Sequence, residues 1–152
     1  MNFRPAYLDT SAVVKLVTVE AETDALRDAL RQWPDRVTST LATVEVHRAL
    51  QRAGATPADY ARADAVLSSL VLLKIDDSVL RRAAAFEDPR LRALDGIHLA
   101  AALSLGDDPD VFITYDARLA EAASSLSLPV AHPGASRLGT SVPRRAGARA
   151  RR

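Results

Sequence analysis

The chain has no cysteine, which excludes disulfides, thiolate zinc sites and cysteine nucleophiles and agrees with a reducing compartment. It also lacks long apolar runs. Stretches such as Val71-Leu72-Leu73 are far too short to cross a bilayer, and no signal-like hydrophobic region opens the chain. The expectation is a soluble cytoplasmic protein without a membrane partner. Aromatic residues are scarce: three Phe, three Tyr and one Trp make an extensive base-stacking platform a poor expectation. Acids are missing from the last stretch, because every Asp and Glu lies at or before Glu121 while six arginines lie from Arg137 onward. Residues 1–136 therefore carry 14 basic and 19 acidic side chains, a balance of −5 beneath a whole-chain net charge of +1.

With 152 residues the chain reads as one domain able to bury roughly two thirds of the surface it exposes when unfolded. The expected boundary falls after residue 132. From Pro133 to Arg152 there is no acid, no aromatic and little large apolar surface, too little burial to offset the entropy of ordering. A basic, disordered tail over 133–152 is expected, either holding phosphates by counterion release or simply solvated.

Within residues 1–132, short apolar runs alternate with helical spacing. Ala6–Leu8, Arg36–Thr38, Val71–Ile75, Val111–Thr114 and the surroundings of Val130 read as strands. Helices are predicted over Thr10–Val17, Glu20–Trp33, Thr40–Ala53 (apolar through Leu41, Val44, Ala49 and Leu50), Thr56–Leu70, Asp76–Phe86, Leu91–Leu105 and Ala117–Leu126. Thr56-Pro57 has the cap-then-proline order of a helix start, and Gly54 and Gly106 have the place of helix ends. Strand–helix alternation favours an α/β fold with a mostly parallel central sheet covered on both faces.

Four acids stand where a carboxylate is awkward or exposed on a turn. Asp9 and Asp116 follow strand-like runs, at the edge where open α/β sheets bind ligands, and each serves equally well as a helix N-cap. Glu45 lies near the apolar edge of its helix; a surface pair with Arg48 at i+3 is its plain alternative. Asp95 is set in a helix apolar almost all round, where a buried charge needs partners. His98, one turn on, could supply a hydrogen bond, and a structural role suits it better than metal ligation, since nothing else resembles a zinc site.

Taken in order, Tyr7-Leu8-Asp9-Thr10-Ser11-Ala12, Glu45, Leu94-Asp95-Gly96-Ile97-His98-Leu99-Ala100 and Ile113-Thr114-Tyr115-Asp116-Ala117-Arg118-Leu119 closely resemble the motifs of PIN-domain ribonucleases, and most of all VapC-type toxins of toxin–antitoxin systems. The resemblance spans about residues 5 to 131. It implies a PIN-like three-layer α/β/α sandwich, with Asp9 and Asp95 as principal Mg²⁺ ligands, Asp116 and Glu45 completing the acidic cleft, and Thr10 and Thr114 lining it. Where many family members carry a further acid close to the last aspartate, Ala117 and Arg118 follow here.

Oxygen ligands without thiolate or a histidine pair suit Mg²⁺ or Mn²⁺, and a phosphodiester is the matching substrate. The resemblance implies RNA as the strand cut, by metal-dependent endoribonuclease hydrolysis, with Arg48 and Arg118 as candidate RNA contacts. The resemblance further implies a cognate VapB-type antitoxin and a homodimer. Two other readings remain: a non-catalytic PIN-like module that binds RNA or protein, and a phosphoryl-transfer enzyme with Asp9 as nucleophile, which fits less well because Ser11 stands where such enzymes usually carry a second aspartate.

Overall fold

The computed structural model describes residues 3–106, 109–136 and 138. Four of its helices begin where a short polar side chain accepts a first-turn amide. Strand β1 (Ala6–Leu8) runs into Asp9, whose carboxylate accepts the Ala12 amide and starts helix α1 (Thr10–Val17). Helix α2 (Thr23–Leu30) is shorter than the apolar stripe from Glu20 to Trp33 predicts. Its entry is a turn closed by Thr23, whose hydroxyl accepts the Glu20 amide and donates to the Lys15 carbonyl.

Strand β2 (Arg36–Ser39) leads to α3 (Leu41–Arg52), and α4 (Pro57–Ser68) opens on a reciprocal capping box between Thr56 and Asp59. Strand β3 (Val71–Leu73) precedes α5 (Asp77–Ala84), which Asp76 caps. The chain then forms α6 (Ala93–Leu103), β4 (Val111–Ile113), α7 (Ala117–Ser125) capped by Asp116, and β5 (Val130–Ala131).

Among the described residues the five strands form one sheet in the order β3-β2-β1-β4-β5, with every pairing parallel. The expected three-layer α/β/α architecture follows from the strand pleat. Ala6 and Leu8 of β1, with Val111 and Ile113 of β4, face a core completed by Val13, Leu26, Val46 and Leu67 from α1 to α4. Tyr7, Val37 and Phe112 point the other way, into a core completed by Val79, Leu99, Ala102, Leu119 and Ala123 from α5, α6 and α7. Tyr7 and Phe112 are register partners, and their rings stack at 5.3 Å between centroids.

Two expectations about helix faces are corrected. Val44 does not belong to the buried stripe of α3: it is 59% exposed, and Ala42, Val46 and Leu50 are buried instead. Helix α6 starts at Ala93 rather than Leu91, so Asp95 stands in its first turn and not in its interior. A carboxylate there is favoured by the helix dipole, which removes much of the apparent awkwardness.

No helix among the described residues is long and apolar enough to cross a membrane. Beyond β5 the chain stays on the domain through Pro133 and Gly134: Tyr115 donates its hydroxyl to the Pro133 carbonyl, and Gly134, at φ +83°, sits where a Cβ would come within 2.9 Å of Ala25. Most of the basic stretch expected as a tail lies outside the described residues.

The sheet order fixes where a ligand site can form. From central β1 the chain first builds outward through β2 and β3, then returns to β4 on the opposite flank. The crevice between the carboxyl ends of β1 and β4 is therefore the topological switch point, the usual binding position in open α/β sheets. Asp9 follows β1 directly, and Thr114 and Asp116 follow β4.

Candidate active site

Asp9 is 3% exposed, and its carboxylate is held from three sides. Oδ1 accepts from the Ala12 amide at 3.0 Å and from the Ser11 hydroxyl at 2.6 Å, while Oδ2 accepts from the Thr114 hydroxyl at 2.6 Å. Burial pushes the Asp9 carboxyl up from its ordinary value, against the opposing pull of His98 and these hydrogen bonds. Thr114 also accepts the Asp116 amide at 3.1 Å, so one hydroxyl from the end of β4 ties the first aspartate to the turn carrying the last. Capping and cleft membership are not alternatives here: Asp9 caps α1, and Asp116 caps α7 by accepting the Arg118 and Leu119 amides.

Glu45 points from α3 toward α6, and the alternative pair with Arg48 is absent among the described ion pairs. Its Oε1 accepts from the Thr10 hydroxyl at 2.7 Å and lies 2.7 Å from His98 Nε2. Since a carboxylate can only accept, Nε2 carries a proton and donates to it, while Nδ1 is hydrogen-bonded to the Tyr7 hydroxyl at 2.8 Å. His98 is 2% exposed. Burial raises the Glu45 carboxyl, but the bonds from His98 and Thr10 outweigh it and hold the group below its ordinary value. His98 thus has the expected structural role, with Glu45 as its partner rather than Asp95.

Asp95 is half-buried and has no hydrogen-bond partner for its carboxylate among the described residues. Its pKa is pushed up to about 6, first by burial and then by the negative charges of Asp116, Asp9 and Glu45. All four acids therefore share one electrostatic neighbourhood. No three carboxylate or imidazole groups among the described residues already converge on a single point as metal ligands, so the cluster is a shared cleft rather than a preformed cage. Its donor chemistry fits a hard divalent cation: oxygen ligands, mutual repulsion that a cation relieves, and a lone histidine already engaged by Glu45 and Tyr7.

Thr10 and Thr114, expected to line the cleft, hydrogen-bond Glu45 and Asp9 respectively, and Thr114 is itself fully buried. Arg118 is exposed at the start of α7 beside Asp95, whereas Arg48 is exposed on α3 and Arg52 is the cation acting on Glu45. Sequence reasoning missed Ser11, which also accepts the Tyr115 amide at 2.8 Å. A short hydroxyl two residues after an acid at a strand end was its available signal. It also missed Tyr7, whose role depends on strand register that no local motif displays.

The domain model described as "PIN domain" matches residues 6–124. The chain is 42% identical over 135 residues to Ribonuclease VapC35 of Mycobacterium tuberculosis strain CDC 1551 / Oshkosh, covering 86% of this chain and 98% of that protein. It is 45% identical over 127 residues to Ribonuclease VapC46 of M. tuberculosis strain ATCC 25618 / H37Rv, covering 84% and 96%. Among solved structures, M. tuberculosis VapC20, described as a sarcin-ricin loop cleaving toxin, superposes with a TM-score of 0.63 at 17% identity over 77% of this chain and 94% of that one. A toxin–antitoxin complex from Klebsiella pneumoniae gives a TM-score of 0.58 at 23% identity over 73% and 86%.

Proposed function

The chain belongs to the PIN-domain family, and on that premise we propose that it is an Mg²⁺-dependent endoribonuclease, the toxin of a type II toxin–antitoxin pair. The observation carrying this reading is the gathering of Asp9, Glu45, Asp95 and Asp116 at the switch point, where burial first, and then the charges of Asp116, Asp9 and Glu45, push the Asp95 carboxyl up to about 6. Relatives at 42% and 45% identity, both named ribonucleases, support it.

Asp95 and Asp9 would be the principal holders of the ion, with Asp116 and Glu45 completing the set. Mn²⁺ would substitute. When bound, the ion would supply positive charge to a phosphate oxygen and lower the pKa of a water. The protein's own part is positional. Thr114 and Ser11 fix both oxygens of Asp9, and Thr10 with His98 fixes Oε1 of Glu45. These bonds leave each carboxylate further lone-pair capacity. Hydrolysis would leave a 3′-hydroxyl and a 5′-phosphate, without a covalent enzyme intermediate.

The antitoxin is proposed on the same family basis, supported by the likeness to a toxin–antitoxin complex; a homodimer is proposed from family membership alone and is measured by light scattering. To test the activity, free protein is incubated with total cellular RNA with and without Mg²⁺, and new 5′ ends are sequenced. Discrete Mg²⁺-dependent ends that vanish in Asp9→Asn and Asp95→Asn are expected. RNA binding without any cut would instead make the chain a non-catalytic module.

A further inference from the structure

An open cavity of about 470 Å³ adjoins the acidic cleft, with Asp95 as a common wall. Its other sides come from the segment between α5 and α6, through Asp88, Arg90 and Leu91, and from α7, through Arg118, Glu121 and Ala122. The volume lies in the range of about 300–1,000 Å³ usual for small-molecule sites. The two arginines are used differently. Arg90 is engaged on both sides: its Nε and Nη2 each donate to Asp88 at 3.1 Å, and its Nη1 donates to Glu121 at 3.2 Å. This clasp links the α5–α6 segment to α7 at the cavity. Arg118 has no acceptor for its guanidinium among the described residues, although it stands beside carboxylates.

A cavity lined by a free guanidinium, by the apolar side chains of Leu91 and Ala122, and by the carboxylates of Asp88 and Glu121 offers contacts for a phosphate, a base face and a base edge. Resting on the endoribonuclease reading above, we propose that this cavity is the subsite for the nucleotide next to the scissile phosphodiester. Arg118 holds a backbone phosphate, Leu91 and Ala122 receive the base face, and Glu121 with Asp88 accept from an amino-bearing base edge. The arrangement gives the cleft, which is otherwise acidic, a cation with which to hold an anionic strand, and it places a specificity-determining contact within reach of Asp95.

The test uses single-stranded RNA oligonucleotides carrying one mapped cut site. Arg118 is exposed, so Arg118→Ala leaves folding intact; Arg31→Ala, an equal loss of charge at the opposite edge of the sheet, is the control. Arg118→Ala is expected to raise KM about tenfold. In EDTA, where the strand stays whole, it should weaken oligonucleotide binding similarly and lower the salt slope by about one unit, with Arg31→Ala within twofold of the parent throughout. Across oligonucleotides that differ in a single base flanking the cut, Glu121→Ala should lose the parent's discrimination at one position only. Parent-like KM, EDTA binding and salt slope in Arg118→Ala would overturn the subsite. A parent that binds the oligonucleotide through Arg118 and never cuts it would overturn the nuclease reading and leave the subsite standing.

Discussion

His98 shows how one buried side chain can serve a cleft without facing it. Its imidazole is hydrogen-bonded to Tyr7 on one side and donates to Glu45 on the other, so the two partners should respond differently to mutation. Tyr7→Phe removes one buried donor and is expected to cost about 0.5–1.5 kcal/mol in urea unfolding, with cleavage kept within severalfold of the parent. His98→Ala leaves the Tyr7 hydroxyl and the Glu45 carboxylate short of a partner, and unfolding should register a loss of about 1–3 kcal/mol. Cleavage should fall at least tenfold because Glu45 is no longer held. Equal activity in both variants would make His98 a core residue only. Its local sequence marks a buried histidine, but only folding reveals that its partner is 53 residues away.

At the scale of elements, helix starts carry two duties. Asp116 caps α7 and contributes charge to the cleft. Asparagine caps a helix about as well as aspartate, so Asp116→Asn separates the duties: the melting temperature should stay within about 2 °C of the parent, while cleavage falls by 100-fold or more. If stability falls with activity, the cap rather than the charge is the main contribution. Thr56→Ala is the converse case. It breaks the capping box of α4 and should cost about 1 kcal/mol, read by thermal melting, with the cut pattern unchanged. The strand–helix order and most helix starts were legible because caps are local chemistry. Where reading failed, tertiary contact had decided: Val44 lies on an apolar-looking stripe yet faces out, and α6 begins two residues later than its apolar run, which turns Asp95 from an interior residue into a first-turn one.

For the whole molecule, burying Asp95 beside three other acids costs the fold stability. The Asp95 carboxyl, ordinarily at 3.8, titrates near 6 when folded. Between those values the folded state binds more protons than the unfolded one, so stability falls as pH rises through that window and levels off above it. Asp9, raised by burial, acts in the same sense; Glu45, lowered, acts oppositely and below its ordinary 4.5. With solvent screening of a half-buried group, the Asp95 contribution is on the order of 1 kcal/mol, or about 2–4 °C. Metal-free protein should therefore melt higher at pH 5 than at pH 7, and Asp95→Asn should flatten that difference. At pH 7, saturating Mg²⁺ should raise the parent's melting temperature by preferential binding to the folded state and leave Asp95→Asn unmoved. A parent indifferent to Mg²⁺ would count against the proposed ion.

By itself the sequence determined the parallel α/β order, the cap residues and the four acids, because apolar periodicity and helix-end chemistry are written within a few neighbouring residues. Strand order, register and side-chain direction depend on packing between distant segments. Only the tertiary structure placed β4 beside β1, gave Glu45 its partners Thr10 and His98, and gave Arg118 a cavity shared with Asp95.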